Sequence, residues 1–227
     1  MRMIVAFEKT TQVRHIGHLD MQRAMQRALR RSGLPIKYSQ GFNPHSILSF
    51  AAPLPVGMGG EEELLDVGLE SPVTEEEFFE KFSAALPASL PLKAVRAVED
   101  QHPKLMASLK SAEYTAEMPM GEDAQKLADA IAPLLAKEEI VAIRRTKSGE
   151  KPCDIRPMLF ELSSRQEGEQ MIFSMRLSFT ERETLKPDLL LKVLKEQAGV
   201  AEETVVFLRR TRLYGEAGGV CTPLMEY

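Results

Sequence analysis

Leu19-Asp20-Met21-Gln22-Arg23-Ala24-Met25-Gln26-Arg27-Ala28-Leu29-Arg30-Arg31 places apolar side chains at 21, 24, 25 and 28, the spacing of one face of a helix. Gly17 stands before it as an N-cap, and Asp20 brings a carboxylate to a first turn whose amides lack partners. Gly33 and Pro35 end it. Working outward, Ile4-Val5-Ala6-Phe7 reads as a preceding strand, and residues 47–50 and 64–69 as two following strands joined by the Pro/Gly-rich stretch 52–60. Thr74-Glu75-Glu76-Glu77 caps a second helix that runs to about residue 86, and 92–98 is a strand. The order β-α-β-β-α-β is that of a ferredoxin-like unit.

The rest of the chain repeats it. Residues 114–118 read as a strand, 123–135 as a helix, 140–144, 159–163 and 171–179 as strands, 186–196 as a helix and 205–213 as a last strand. The expected fold is α+β, two ferredoxin-like halves whose antiparallel sheets carry helices on one face. They divide at Asp100-Gln101-His102-Pro103 into 1–103, with the basic helix, and 104–227. A further strand near 153–156 does not fit the repeat.

With 227 residues, 44% of them hydrophobic, the chain has enough apolar side chains for one sizeable core or two small ones. Cys153 and Cys221 stand far apart in no paired motif, which argues against a disulfide framework, a zinc site or a cysteine-held iron–sulfur cluster and points to a reducing cytoplasm. The N-terminal apolar run is too short for a signal peptide, and no stretch approaches the roughly 20 apolar residues that span a bilayer, so no membrane association is expected. The net charge of -4 hides an asymmetry: residues 1–60 hold eight Lys/Arg against two acids, whereas 61–100 hold three against eleven. A polyanion is therefore expected to meet one local face.

Turned by about 100° per residue, Arg23, Arg27 and Arg30 lie opposite the apolar stripe, with Arg31 at its edge. An exposed helix face is usually solvated, yet such faces mix signs to gain i,i+4 pairs, and here four arginines have only Asp20 nearby. Arginine forks suit phosphate. A few residues on, Ser39-Gln40-Gly41-Phe42-Asn43-Pro44-His45 is too polar and too turn-rich to build a core and reads as a shaped, exposed loop. Each of its residues also has a plain structural reading: a positive φ at Gly41, a turn at Asn43-Pro44, a tucked Phe42. Together, Phe42, Asn43 and His45 suit stacking on and reading a nucleobase, with Ser39 beside them. Arg14, Arg156 and Arg210 extend the candidate anion surface. Asp154-Ile155-Arg156-Pro157 and Arg209 to Tyr214 equally suit buried ion pairs or strand edges.

His18, His45 and Asp20 are the candidate catalytic groups, as general acid and base for metal-free RNA cleavage. His15, His18 and Asp20 do not have the spacing of a zinc motif, so no metal is expected. Gly57-Met58-Gly59-Gly60 lacks the context of a phosphate-binding loop and reads as a hinge.

Several motifs together resemble the bacterial radical SAM-linked (radical SAM-associated) proteins, a domain of unknown function, over essentially the whole chain. They are Gly17-His18-Leu19-Asp20, Arg30-Arg31-Ser32-Gly33-Leu34-Pro35, Tyr38 to His45, Ser49 to Gly57, Asp154-Ile155-Arg156-Pro157 and Arg210-Thr211 with Leu213-Tyr214. Gly17 departs from the serine expected there, keeping a cap but losing a hydroxyl. The resemblance implies a radical SAM protein partner, encoded beside or fused to such chains, and genes for a ribonuclease and ribosomal proteins nearby. It thereby implies an accessory, RNA-binding role in RNA or ribosome-related modification. This chain lacks the C-x-x-x-C-x-x-C thiolates, so the partner would bring the iron–sulfur cluster and S-adenosylmethionine, and no cofactor is expected here. The alternatives are a metal-independent endoribonuclease or RNA-modifying enzyme using His18 or His45, and a protein-only scaffold that docks the radical SAM partner through the acidic segment Glu61-Glu62-Glu63.

Overall fold

The computed structural model describes residues 1–146 and 149–227. They form two units: Met1–Leu109 with Arg210–Tyr227, and Lys110–Arg209. The division differs from the expected one at 103 because residues 104–109 stay with the first unit and the chain re-enters it at Arg210.

In the first unit β1 (Arg2–Lys9), α1 (His18–Ser32), β2 (Leu48–Phe50), β3 (Gly59–Gly68), α2 (Glu75–Ala85) and β4 (Leu92–Val98) follow in the expected order. The sheet is antiparallel, with the fourth, first, third and second strands side by side. That is the ferredoxin-like arrangement. β1 is its axis: Met3, Val5 and Phe7 face a core shared with Met21, Met25, Ala28 and Leu29 of α1 and Phe78 and Phe82 of α2. Its alternate residues Ile4 and Ala6 are buried as well. A strand covered on both faces reads as a continuous apolar run, as this one does. Gly33, at φ 69°, ends α1 in the left-handed region that favours glycine. Thr74 caps α2 by accepting from the amide of Glu77 at 3.2 Å.

In the second unit β5 (Ser111–Pro119), α4 (Glu122–Leu135), β8 (Leu159–Glu167), β9 (Gln170–Ser178) and α5 (Pro187–Ala198) repeat the pattern, with antiparallel order β5-β9-β8. The unit closes with the first three residues of β10 (Phe207–Ala217), where Arg209 pairs with Glu117 at 4.0 Å. The strand expected at 140–144 does not join this sheet. It is β6 (Val141–Thr146), paired only with β7 (Gly149–Asp154) as a separate two-stranded ribbon among the described residues. Apolar alternation specifies an extended strand with two unlike faces, not the partner it pairs with. The short α3 (Leu105–Ser108) and β11 (Val220–Pro223), the latter paired to β10, lie outside the expected pattern.

Candidate functional site

The periodicity of α1 separates its two faces as expected, except that Leu29 replaces Ala24 among the fully buried positions. Arg23, Arg27, Arg30 and Arg31 are exposed. Arg23 pairs with Asp20 at 3.0 Å, both side chains about two-thirds in solvent, an interaction worth only about 0.3–0.5 kcal/mol. No carboxylate pairs with Arg27 or Arg30 among the described residues. Arg31 donates to the Ala85 carbonyl at 2.8 Å, so it ties α1 to the C-terminal end of α2 while remaining exposed.

The Ser39–His45 loop stands on a hydrogen-bonded stem. The Lys37 amide donates to Gly68 at 2.9 Å, the Ile47 amide to Lys37 at 2.8 Å, and Tyr38 bridges Ser46. Its mouth is closed three times by one pair of residues. The Ser39 amide donates to the His45 carbonyl at 2.9 Å, the His45 amide to Ser39 Oγ at 3.1 Å, and Oγ lies 2.9 Å from His45 Nδ1. Gly41, at φ 131°, turns the tip. Phe42 there is 106% exposed, with Asn43 and Pro44 beside it in solvent.

Only Leu34, Pro35 and Ile36 separate Gly33, which ends α1, from Lys37 in the loop stem, and Ile36 bridges Leu69. His18 stands at the other end of α1. Its ring meets Phe50 edge-on, centroids 5.1 Å apart. From Ser46 to Phe50 an extended chain covers roughly 13 Å, so His18 and His45 stand at separate places. His45 Nδ1 is already engaged by Ser39, which gives this imidazole a positioning role in the loop.

Beneath His18 lies a charged floor absent from the sequence reading. Lys9 is 4% exposed and donates to the carbonyls of Arg14 and Ile16, both at 3.0 Å, which fixes the segment entering α1. Burial pushes its ammonium below the usual lysine range, opposed by Glu63 and aided by Arg210. Arg210 is corrected from anion binder to core residue. It is 1% exposed, its Nε donates to Glu63 Oε1 at 2.9 Å, and its Nη2 reaches Glu63 Oε2 and the Ala52 carbonyl. A guanidinium so enclosed has no face to offer a phosphate. Glu61-Glu62-Glu63 is likewise no free acidic surface, because Glu63 is buried on Arg210 and Glu62 sits 3.5 Å from Arg212. Burial raises the Glu62 carboxyl, with Arg212 opposing it. The cleft above this floor, lined by His18, Phe50, Lys9, Glu63 and Leu54, has a volume of about 20 Å³, room for a water and not for a base.

Arg14 is half-buried, its Nε 3.2 Å from His15 Nε2. In the second unit Asp154 accepts the amides of Ile140 and Arg156, each at 2.9 Å, and Arg156 is half-buried with a 3.4 Å bond to the Leu159 carbonyl. The Asp-Ile-Arg-Pro motif is thus the knot at the base of the β6–β7 ribbon. Between that ribbon, α5 and residues 202–208 lies a groove of about 950 Å³ bearing the exposed Val141, Ile143 and Val205. No motif in the sequence marked it. Among the described residues no group of three or more His, Cys, Asp or Glu side chains is placed to hold a metal, and no helix is long and apolar enough to cross a membrane.

The chain is similar to a crystal structure of a Cbf5-Nop10-Gar1 complex at 13% identity, over 93% of this chain and 48% of that one, with a TM-score of 0.49. It thus spans about half the length of that relative. It is also similar to a crystal structure of an unknown protein from Galdieria sulphuraria at 13% identity, over 92% of this chain and 97% of that one, with a TM-score of 0.26. No curated protein matches it. Residues 2–187 do match a family model whose description reads uncharacterized protein conserved in bacteria (DUF2344), and because that stretch is most of the chain, the protein belongs to this family.

Proposed function

We propose that the chain is an accessory RNA-binding module that presents RNA to a radical SAM enzyme in an RNA or ribosome-related modification. One observation carries the reading: exposed arginines of α1, with Arg27 and Arg30 unneutralised among the described residues, are followed, with only three residues intervening after the helix C-cap, by the stem of a closed loop that holds Phe42 fully in solvent. Basic side chains without internal partners gain most from releasing the counterions of a polyanion. An aromatic ring left in water gains from a planar partner. Arg23, Arg27 and Arg30 engage phosphates, with Arg31 at their edge. Phe42 and Asn43 meet a base, and Ser39 and His45 hold the loop that presents them. Arg14 and Arg156 stand outside this central set.

The radical chemistry belongs to the partner in this reading. Two distant cysteines give this chain no cluster-binding triad, and the resemblance of the motif set to radical SAM-linked proteins names the class of enzyme that brings the iron–sulfur cluster and S-adenosylmethionine. The test is crosslinking and sequencing of RNA that copurifies with the native chain, beside the triple variant R23E/R27E/R30E. Enrichment of particular RNAs, lost in the variant, is the expected result. Equal recovery from both proteins would overturn the reading.

A further inference from the structure

We propose that the site takes single-stranded RNA with an unpaired base stacked on Phe42, its backbone continuing along α1 past Arg30, Arg27 and Arg23. This rests on the RNA-binding reading and narrows it to one class of nucleic acid.

Three observations carry it. The first is the exposure of Phe42: at 106% the ring has no protein neighbour to stack on, so both its faces are open. A base inside a duplex already has both faces covered, and the deep, narrow major groove of A-form RNA keeps side chains from its base edges. Only an unpaired base can offer a face to the ring. The second is the closure of the loop. The three contacts between Ser39 and His45 hold the mouth of the loop closed before any ligand arrives, so less ordering is left to oppose stacking. Asn43, next to Phe42 and exposed, carries both a donor and an acceptor for the edge of the stacked base.

The third is the placement of the arginines. Positions 23, 27 and 30 form a single row along α1, its members roughly 6 and 4.5 Å apart along the axis. The row ends at Arg30, three residues before α1 stops at Gly33, and the loop stem begins at Lys37, so the chain itself keeps the end of the row near the loop. A row one residue wide neutralises one strand. The two backbones of a duplex need charge on two separated lines, and on this helix the side opposite the arginines is buried in the core.

Fluorescence anisotropy separates the possibilities, with a labelled RNA of about 12 nucleotides that cannot fold on itself and the same strand annealed to its complement. The expected result is tighter binding of the single strand, with a log–log salt slope of about −2 for three phosphate contacts. F42L should weaken that binding roughly 5- to 140-fold, the worth of one stacked base, and leave the duplex unaffected. F42W should restore it. Because Phe42 touches no core, these variants keep the fold, which circular dichroism checks. Equal affinity for strand and duplex, or unchanged binding by F42L while R23E/R27E/R30E abolishes it, would overturn the inference and leave RNA binding intact. Absence of binding to either probe would sink the RNA-binding reading itself and this inference with it.

Discussion

The exposed face of α1 and the floor beneath His18 are both rich in positive charge, yet the fold treats them in opposite ways. On α1 the arginines stand in solvent, one of them in a loose pair with Asp20. On the floor Lys9 and Arg210 are sealed from water, Lys9 spent on the carbonyls of Arg14 and Ile16 and Arg210 on Glu63 and Ala52. A desolvated ion needs its partner, because losing it leaves a charge with no water to turn to; a solvated one hardly notices. Charges already consumed by the fold cannot serve a ligand, so a binding face consists of what the core leaves over.

The contrast can be broken from the floor side first. E63A withdraws the carboxylate that Arg210 faces and should lower the unfolding free energy by about 3–5 kcal/mol; a loss in urea unfolding of less than a quarter of that would mean the pair is solvated. G60A attacks the same pair from the backbone, since a Cβ at residue 60 would lie 2.6 Å from Glu63 Oε1. Its expected cost is about 1–3 kcal/mol, and it should not add fully to that of E63A. T74A, which removes the α2 cap and shares no partner with Gly60 or Glu63, should cost about 1 kcal/mol and combine additively with either.

A smaller effect is a pH dependence. Burial lowers the folded pKa of Lys9 below its ordinary 10.5, so between those two values the unfolded chain binds more protons than the folded one and stability rises with pH. The contribution is fully present above 10.5 and is lost as pH falls through the folded value. The stability of the wild type relative to K9M should therefore climb as pH rises toward 10.5; a flat or falling difference would contradict the burial of the charge. The smallest change in stability belongs to α1. R27A should stay within about 0.5 kcal/mol of the wild type, while its RNA affinity falls and its salt slope shrinks by about 0.7.

Much of this arrangement was legible before any tertiary contact was known. The 3.6-residue period of 21, 25 and 28 marked the buried side of α1, Thr74 before three glutamates marked the start of α2, and residues 92–98 coincided with β4. Arg210 stood in the sequence as an anion binder or, equally, a buried ion pair, because strand alternation sets 210 on the face opposite 209 and 211 without saying which face is buried. A signal was available in the pairing of the basic run 209–212 with the acidic run 61–63, two strands of opposite sign. The ribbon at 141–154 was misplaced for a different reason, since alternation is the same whether a strand joins the sheet or leaves it.

By itself the sequence determined the elements, their order and the amphipathic division of the helices, because periodicity, capping and turn residues act over a few neighbouring positions. Tertiary structure decided which charges are left to meet a partner. Glu63 and Arg210 are 147 positions apart, and only when the chain brings them together is water removed from both, a desolvation that no local pattern encodes.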